Sequence, residues 1–319
     1  MSEKWLVAVD LGGTTTKIAF VNDYGEIIKK WEIVTDKSES GKKIVLNIAK
    51  SIDEKLDEMH VSKQQLAGIG MGAPGPVDVE KGIIYEAVNL GWENNYPLKN
   101  ILEVETGLSA VIDNDANCAA LGEMWKGAGN GAKDLVCVTL GTGVGGGVIA
   151  NGDIVHGTHG AAGEIGHITV VPEHGFQCNC GKQGCLETVA SATGVVNLAV
   201  KELEQSNMAS VLRGQDAFSA KMVFDAAREG DELAAMTVDR LAFYLGLALA
   251  NLGNALNPDK IVIGGGVSKA GDVLLIPVQK YFQKFAFNSV KHSTLLDLAV
   301  LENDAGVIGA AWLVKHKLA

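Results

Sequence analysis

Leu6-Val7-Ala8-Val9-Asp10-Leu11-Gly12-Gly13-Thr14-Thr15-Thr16-Lys17, continuing to Ile28, can be laid over Leu135-Val136-Cys137-Val138-Thr139-Leu140-Gly141-Thr142-Gly143-Val144, continuing to Val155. Leu6, Val7, Val9, Leu11 and Gly12 then fall on Leu135, Val136, Val138, Leu140 and Gly141. Each stretch reads as strand, Gly/Thr turn, strand, second turn and strand. The second turns are Asp23-Tyr24-Gly25 and Asn151-Gly152, both hairpin sequences. A duplicated half explains the match, and a unit this long is not a solenoid repeat. The pattern predicts two related α/β domains that face one another, each with a hairpin loop at its mouth and a ligand cleft between them.

The rest of the chain fits that frame. Its 319 residues are about twice the ~150-residue prior for one domain. With 47% hydrophobic and 20% charged residues it is neither disordered nor membranous in composition. Ile44, Ile48, Ile52 and Leu56 predict a helix over 42–59, and Leu66 to Met71 reads as a buried strand. Gly72 to Asp78, GAPGPVD, reads as a rigid loop. A strand over 110–112 is expected to turn at Asp113-Asn114-Asp115 into an Ala-rich helix over 116–126. A long helix over 232–256 should stop at Pro258, and the strand 260–263 should run into Gly264-Gly265-Gly266. The last helix, 307–317, should pack back on the first half. The expected domains are residues 1–116 with 304–319, and residues 117–303.

Lys and Arg number 27 against 38 Asp and Glu, a net charge of −11 that disfavours nucleic acid and anionic membrane as partners. The apolar run near the N-terminus is too short for a signal peptide, and the ten residues from Leu241 to Ala250 are too few to span a bilayer, so a cytoplasmic location is expected. Five cysteines, three of them between 178 and 185, suit a reducing compartment and a metal site.

Four motifs carry chemistry. In Asp10 to Lys17, a carboxylate at a strand end precedes two glycines, hydroxyls and an ammonium. Gly12 and Gly13 allow close approach to a phosphate, Thr14 and Thr15 donate hydrogen bonds, Lys17 adds charge and Asp10 can hold Mg²⁺ through water. The plain alternative is an ordinary hairpin with Asp10 as a turn acceptor. Gly141-Thr142-Gly143-Val144-Gly145-Gly146-Gly147 formally matches a dinucleotide fingerprint, but the chain continues as a strand rather than a helix. It reads better as the partner loop gripping the other side of one phosphate chain. Cys178, Cys180 and Cys185, with His167 upstream, are a complete tetrahedral ligand set for structural Zn²⁺. Folding around that ion would fix Glu164 and Glu187 as acceptors for a hydroxyl-rich ligand and orient the free ring nitrogen of His167, unless both are plain surface glutamates. Asn114 or Asp115 can cap the following helix; alternatively Asp115, kept ionised by the helix dipole, takes a proton from a hydroxyl attacking a phosphoryl group, with Asn89 and Asn114 as amides beside it.

Taken together, DLGGTTTK, GAPGPVD, NDANCAALGE, GTGVGGG, AAGEIGH and CNCGKQGCLE resemble the ROK family of sugar kinases and sugar-responsive repressors, and within it the bacterial glucokinases. The resemblance covers essentially the whole chain. It implies a duplicated ribonuclease-H-like (actin-like ATPase) fold, with ATP and sugar between the domains and glucose phosphorylated to glucose 6-phosphate. It places the catalytic base on Asp115, sugar contacts on Asn89, Asn114, Asp115, Glu164, His167 and Glu187, and zinc on His167, Cys178, Cys180 and Cys185. Nucleotide contacts fall on Gly12 to Lys17 and Gly141 to Gly143, with Gly265 and Gly266 near the adenosine. It also implies a homodimer. Fructose, mannose, allose and N-acetylmannosamine stand as alternative sugars. A repressor of this type would need a helix-turn-helix before the first strand, which is expected at about Trp5.

Overall fold

The computed structural model describes residues 4–318 and folds the two quoted stretches into the same object. Residues 1–3 and 319, at the ends of the expected first domain, lie outside the described residues. β1 (Trp5–Leu11) and β2 (Thr15–Val21) form an antiparallel hairpin, with β3 (Ile27–Val34) beyond it. After α1 (Lys43–Met59), β4 (Leu66–Ala73) pairs in parallel with the other edge of β1. The short β5 (Val77–Asp78) and β6 (Ile83–Ile84) and helix α2 (Leu98–Thr106) precede β7 (Ala110–Asn114), which adds in parallel to β4 and leads directly into α3 (Asp115–Lys126).

The second half repeats the plan with β8 (Leu135–Leu140), β9 (Val144–Ala150) and the two-residue β10 (Asp153–Ile154). A helical insertion follows, α4 (Glu187–Ala190), α5 (Ala192–Gln205), α6 (Ala220–Arg228) and α7 (Glu232–Leu256), before β11 (Lys260–Gly264). Then come α8 (Asp272–Phe285), α9 (Asn288–Ser293), β12 (Leu295–Leu298) and α10 (Ala305–Lys317). The sheet orders are β3-β2-β1-β4-β7 and β10-β9-β8-β11-β12, the same hairpin-then-parallel arrangement twice. This is the duplicated ribonuclease-H-like fold.

Each half has its own core. In the first, the apolar stripe of α1 (Ile44, Ile48, Ile52, Leu56) covers one face of the sheet. In the second, α7 is long and apolar enough to cross a membrane by length and composition, but most of it is buried among the helices of this half. Asn257, in the left-handed region (φ 44°), ends it, and Pro258 follows.

A third core joins the halves. Leu6 and Ala8 of β1, Leu121 of α3, Cys137 of β8, Val262 of β11 and Val307 of α10 belong to it. The last helix thus packs back as expected, starting two residues earlier. α3 and α10 cross with their backbones in contact: a β-carbon on Gly122 would overlap the Ala305 carbonyl, and one on Gly309 the Cys118 carbonyl.

One repeat escaped the linear reading. Asn114-Asp115-Ala116, where α3 leaves the last strand of the first half, recurs as Asn303-Asp304-Ala305, where α10 leaves the last strand of the second.

Candidate active site

Asp10 and Lys17 of the first hairpin and Thr139, Gly141, Gly143 and Gly145 of the second line one cleft of about 670 Å³. In the first loop, Asp10 and Lys17 are register partners and form a part-buried ion pair at 3.2 Å. The Gly12 N–H closes the turn on Thr15 O, so it is the Gly13 position, where an added β-carbon meets nothing within 4 Å, that faces open space. Thr35 braces the loop from β3's end, donating its hydroxyl to Gly12 O at 2.8 Å. In the second loop Gly141 N–H bonds Gly143 O, while α5 holds the loop from outside through Ala192 N–H to Gly141 O (2.8 Å) and the Thr193 hydroxyl to Thr142 O (3.1 Å).

The remaining glycines of that run serve packing. Gly145, Gly146 and Gly147 lie in β9. β-Carbons on Gly145 and Gly147 would sit 3.3 Å and 2.7 Å from the methyls of Ala116 and Ala120, and one on Gly146 would strike Ile165. They let α3 and the turn before His167 close on the strand from opposite sides.

α3 presents Asp115 to the cleft. Asn114 is the N-cap, accepting from Ala116 N–H at 2.9 Å and Asn117 N–H at 3.3 Å, and it donates one amide hydrogen to Gly75 O at 3.1 Å. The expectation that the dipole keeps Asp115 readily ionised needs correction. Burial, aided by the Asp10 charge, outweighs the Ala116 N–H bond and pushes the Asp115 carboxyl up to about 6. A carboxyl with its pKa just below neutral pH is chemically suited to accept a proton from a hydroxyl.

His167, Cys178, Cys180 and Cys185 bring their ligand atoms within 4.8 Å of one another. Cys178 Sγ lies 3.6 Å from His167 Nδ1, and Cys180 Sγ lies 3.6 Å from Cys185 Sγ. A tetrahedron with Zn–S bonds of about 2.3 Å has edges of about 3.7 Å, so the residues fit the ion. Nδ1 faces the sulfurs, and Nε2 points away to Glu164 Oε2 at 3.9 Å. Glu187, the first residue of α4, leans on the same knot, 3.1 Å from Cys178 Sγ and 3.9 Å from His167 Nδ1. Its other oxygen reaches the second hairpin, where a β-carbon on Gly143 would sit 2.7 Å from Oε2. Glu187, the Cys/His cluster and the second hairpin loop are therefore contiguous.

Of the residues expected from sequence, the cleft wall carries Asp10, Lys17, Asn89 and Asp115 from the first half, and Gly141, Gly143, Glu187 and Gly265 from the second. Glu164, His167, Asn114, Gly12, Gly13, Thr14, Thr15 and Thr142 are not among the wall residues, although His167 Nδ1 lies 3.9 Å from Glu187 Oε1. Asn89 sits on a short 3-10 turn anchored by buried Leu90 and Trp92. Gly265 adopts φ 84° with its α-carbon against the Leu140 backbone. Gly266 borders a separate, apolar recess of about 510 Å³ beside Ala192, Phe224 and Val267. Sequence reading missed Thr139, Glu302, Asn303 and Gly306 on the wall; the Asn-Asp-Ala repeat was the signal that could have found Asn303.

A family model described as the ROK family matches residues 6–317. The chain is 56% identical to a glucokinase from Halalkalibacterium halodurans, across 99% of this chain and 97% of that one. It is similar to the crystal structure of a ROK family glucokinase from Streptomyces griseus in complex with glucose and AMPPNP, at 35% identity, TM-score 0.76, and coverage of 97% and 98%. It is similar also to a ROK family transcriptional regulator, a homologue of the Escherichia coli MLC protein, at 27% identity and TM-score 0.86, covering 99% of this chain and 79% of the regulator.

Proposed function

Because this chain belongs to the ROK family, we infer that it transfers the γ-phosphoryl group of ATP to the 6-hydroxyl of glucose, giving glucose 6-phosphate. The observation that carries this reading is that Asp115, Glu187, the Asp10–Lys17 pair of the first hairpin and Gly141 and Gly143 of the second wall one cleft. The 56% identity to a glucokinase over nearly the full chain supports glucose as the acceptor.

In this reading the sugar lies between α3 and the metal knot. Asn89, Asn114, Glu164, His167 and Glu187 take its hydroxyls, and His167 presents Nε2 because Nδ1 is turned to the sulfurs. Asp115 accepts the 6-hydroxyl proton as the oxygen attacks in line. Residues Gly12 to Thr15 and Gly141 to Gly143 grip opposite sides of the triphosphate, and Lys17 adds positive charge. Gly265 and Gly266 back the adenosine, whose base enters the recess beside Phe224 and Val267. Mg²⁺ carried in with ATP offsets the charge on the transferring group, and Asp10 would hold it through water. His167, Cys178, Cys180 and Cys185 would hold Zn²⁺, and four protein ligands would make its role structural. Residues 1–116 with 304–319, and 117–303, close on each other as units and exclude water from the reaction. The enzyme works in the cytoplasm, as a homodimer.

The relative that is a regulator shares the fold, so the fold alone does not separate kinase from sensor. Asp115 on the cleft wall supports the kinase reading, since a sensor needs no base. The test is ADP release measured across a panel of glucose, mannose, fructose, allose and N-acetylmannosamine. ATP consumption that requires a hexose, with glucose giving the highest kcat/KM, is the expected result. ATP turnover independent of hexose would overturn the kinase reading, and preference for another member would reassign the sugar.

A further inference from the structure

Behind Asp115 lies a buried carboxylate that the reaction does not touch. Asp113, at the end of β7, is 1% exposed. Its Oδ1 accepts from the Asn114 N–H at 2.7 Å and from Asn117 Nδ2 at 2.8 Å. Asn117 gives its amide nitrogen to Asp113 although its own Oδ1 is buried and finds no partner among the described residues. Asp113 thus holds both the residue that caps α3 and one in its first turn. Its second oxygen, Oδ2, has one partner among the described residues: His156 Nε2, at 2.8 Å.

His156 comes from the other half. It follows β10, at the start of the loop that runs to Glu164 and His167, and its own carbonyl accepts from Ala162 N–H within that loop. The loop also docks on the first half at Gly160, where a β-carbon would overlap the Val77 carbonyl. The imidazole is one-third exposed, so it brings a donor to a carboxylate that water does not reach. The hydrogen bond to Asp113 raises the His156 pKa against its partial burial and nearby Lys317, with Asp153 adding to the rise.

We propose that His156 is a positioning residue for phosphoryl transfer: by holding Asp113 across the junction of the halves, it sets the turn that aims Asp115 and anchors the loop that carries Glu164 and His167. The proposal rests on Asp115 being the base. Loss of this donor leaves half of a buried carboxylate without a partner. The turn relaxes to find one, and the base and the sugar-binding loop shift together, on the side of the cleft away from the nucleotide.

The test uses the full chain in steady state with ATP and glucose, with a melting curve for every variant. His156→Gln keeps a donor at the Nε2 position. His156→Asn is equally polar but reaches only as far as Nδ1. Expected results are a kcat at least roughly 10-fold lower and a glucose KM raised several-fold for His156→Asn, with ATP KM unchanged, and recovery to within about threefold for His156→Gln. In an Asp113→Asn background, His156→Asn should add little further loss, because the two residues act as one unit. A parent-like His156→Asn, a loss that merely follows the folded fraction with both KM values unchanged, or multiplicative losses in the double variant would each overturn the proposal. Asp115→Asn run alongside separates the premise: if it turns over like the parent, the assignment of the base has failed, whereas an inactive Asp115→Asn with a normal His156→Asn sinks the proposal alone.

Discussion

Asn114-Asp115-Ala116 and Asn303-Asp304-Ala305 occupy the same place in the two halves and lead into the two helices that cross at the centre, yet they do different work. Around the first, Asn114 caps α3, buried Asp113 precedes it and Asp115 faces the cleft with its pKa pushed up to about 6. Around the second, no side chain caps α10, Glu302 reaches out to Lys269 at 3.6 Å and Asp304 pairs with Lys30. The hairpins diverge in the same manner. Asp10 faces Lys17 across the first, and the corresponding pair in the second is the uncharged Thr139 and Gly145. Duplication supplied two equivalent frames, and the chemistry follows what each is packed against. The first half carries the charged hairpin pair and the buried acids beside α3, and the corresponding pair of the second hairpin is uncharged.

The largest effect expected from that difference is on turnover. Asp115→Asn should lower kcat by about 10³-fold with glucose affinity kept within a few-fold, whereas Asp304→Asn should leave kcat within about twofold. Comparable losses at both sites would erase the distinction. The pH dependence follows from the raised pKa of Asp115, about 6 in the fold against an ordinary 3.8. Activity should rise as pH increases through 6 and the base ionises. Stability runs the other way. The contribution from favouring the protonated carboxyl is complete below about pH 3.8 and is lost as pH rises through 6, a cost of up to about 3 kcal/mol at pH 8. The inactive Asp115→Asn chain should therefore melt higher than its parent at pH 8 and not at pH 4.

Next in size is the Cys/His cluster, which has no counterpart among the described residues of the first half. Chelation or Cys180→Ser should raise glucose KM at least roughly 10-fold and lower the melting temperature, with ATP KM little changed, because Glu187 and His167 lose their anchor. Full glucose affinity in a chain assayed free of zinc would cut the link between ion and sugar. The smallest effect concerns Gly306, which stands on α10 where α3 has Asn117. Its α-carbon lies against Asp10, and a β-carbon would come 2.8 Å from that carboxyl carbon. Gly306→Ala should raise ATP KM about fivefold by displacing Asp10, and leave glucose KM unchanged.

The duplicated hairpins were legible because alternating apolar residues and a Gly/Thr turn write their own local structure, and the Cys/His set because its spacing suits one ion. The long helix ending at Leu256 and the last helix were equally plain from their apolar residues. What stayed hidden depends on contacts between distant segments. Gly145 to Gly147 look like a ligand loop until α3 is seen lying on them. The Asn-Asp-Ala recurrence was masked by the insertion holding the knot and α4 to α7, which puts the two copies out of step with the hairpin repeat. His156 and Asp113 are 43 residues apart and belong to different halves, so no local pattern joins them.

The crossing of α3 and α10 bears on the proposed closure of the cleft. With the Gly122 and Gly309 backbones pressed on facing carbonyls, sliding of one helix along the other would run into those contacts, whereas rotation about the crossing would not. Asp115 lies seven residues along α3 from Gly122, a lever arm of about 10 Å. A rotation of about 10° at that point would therefore carry the carboxylate by about 2 Å, and bulk added at either glycine should force the helices apart and displace Asp115 and Ala305 at the cleft wall.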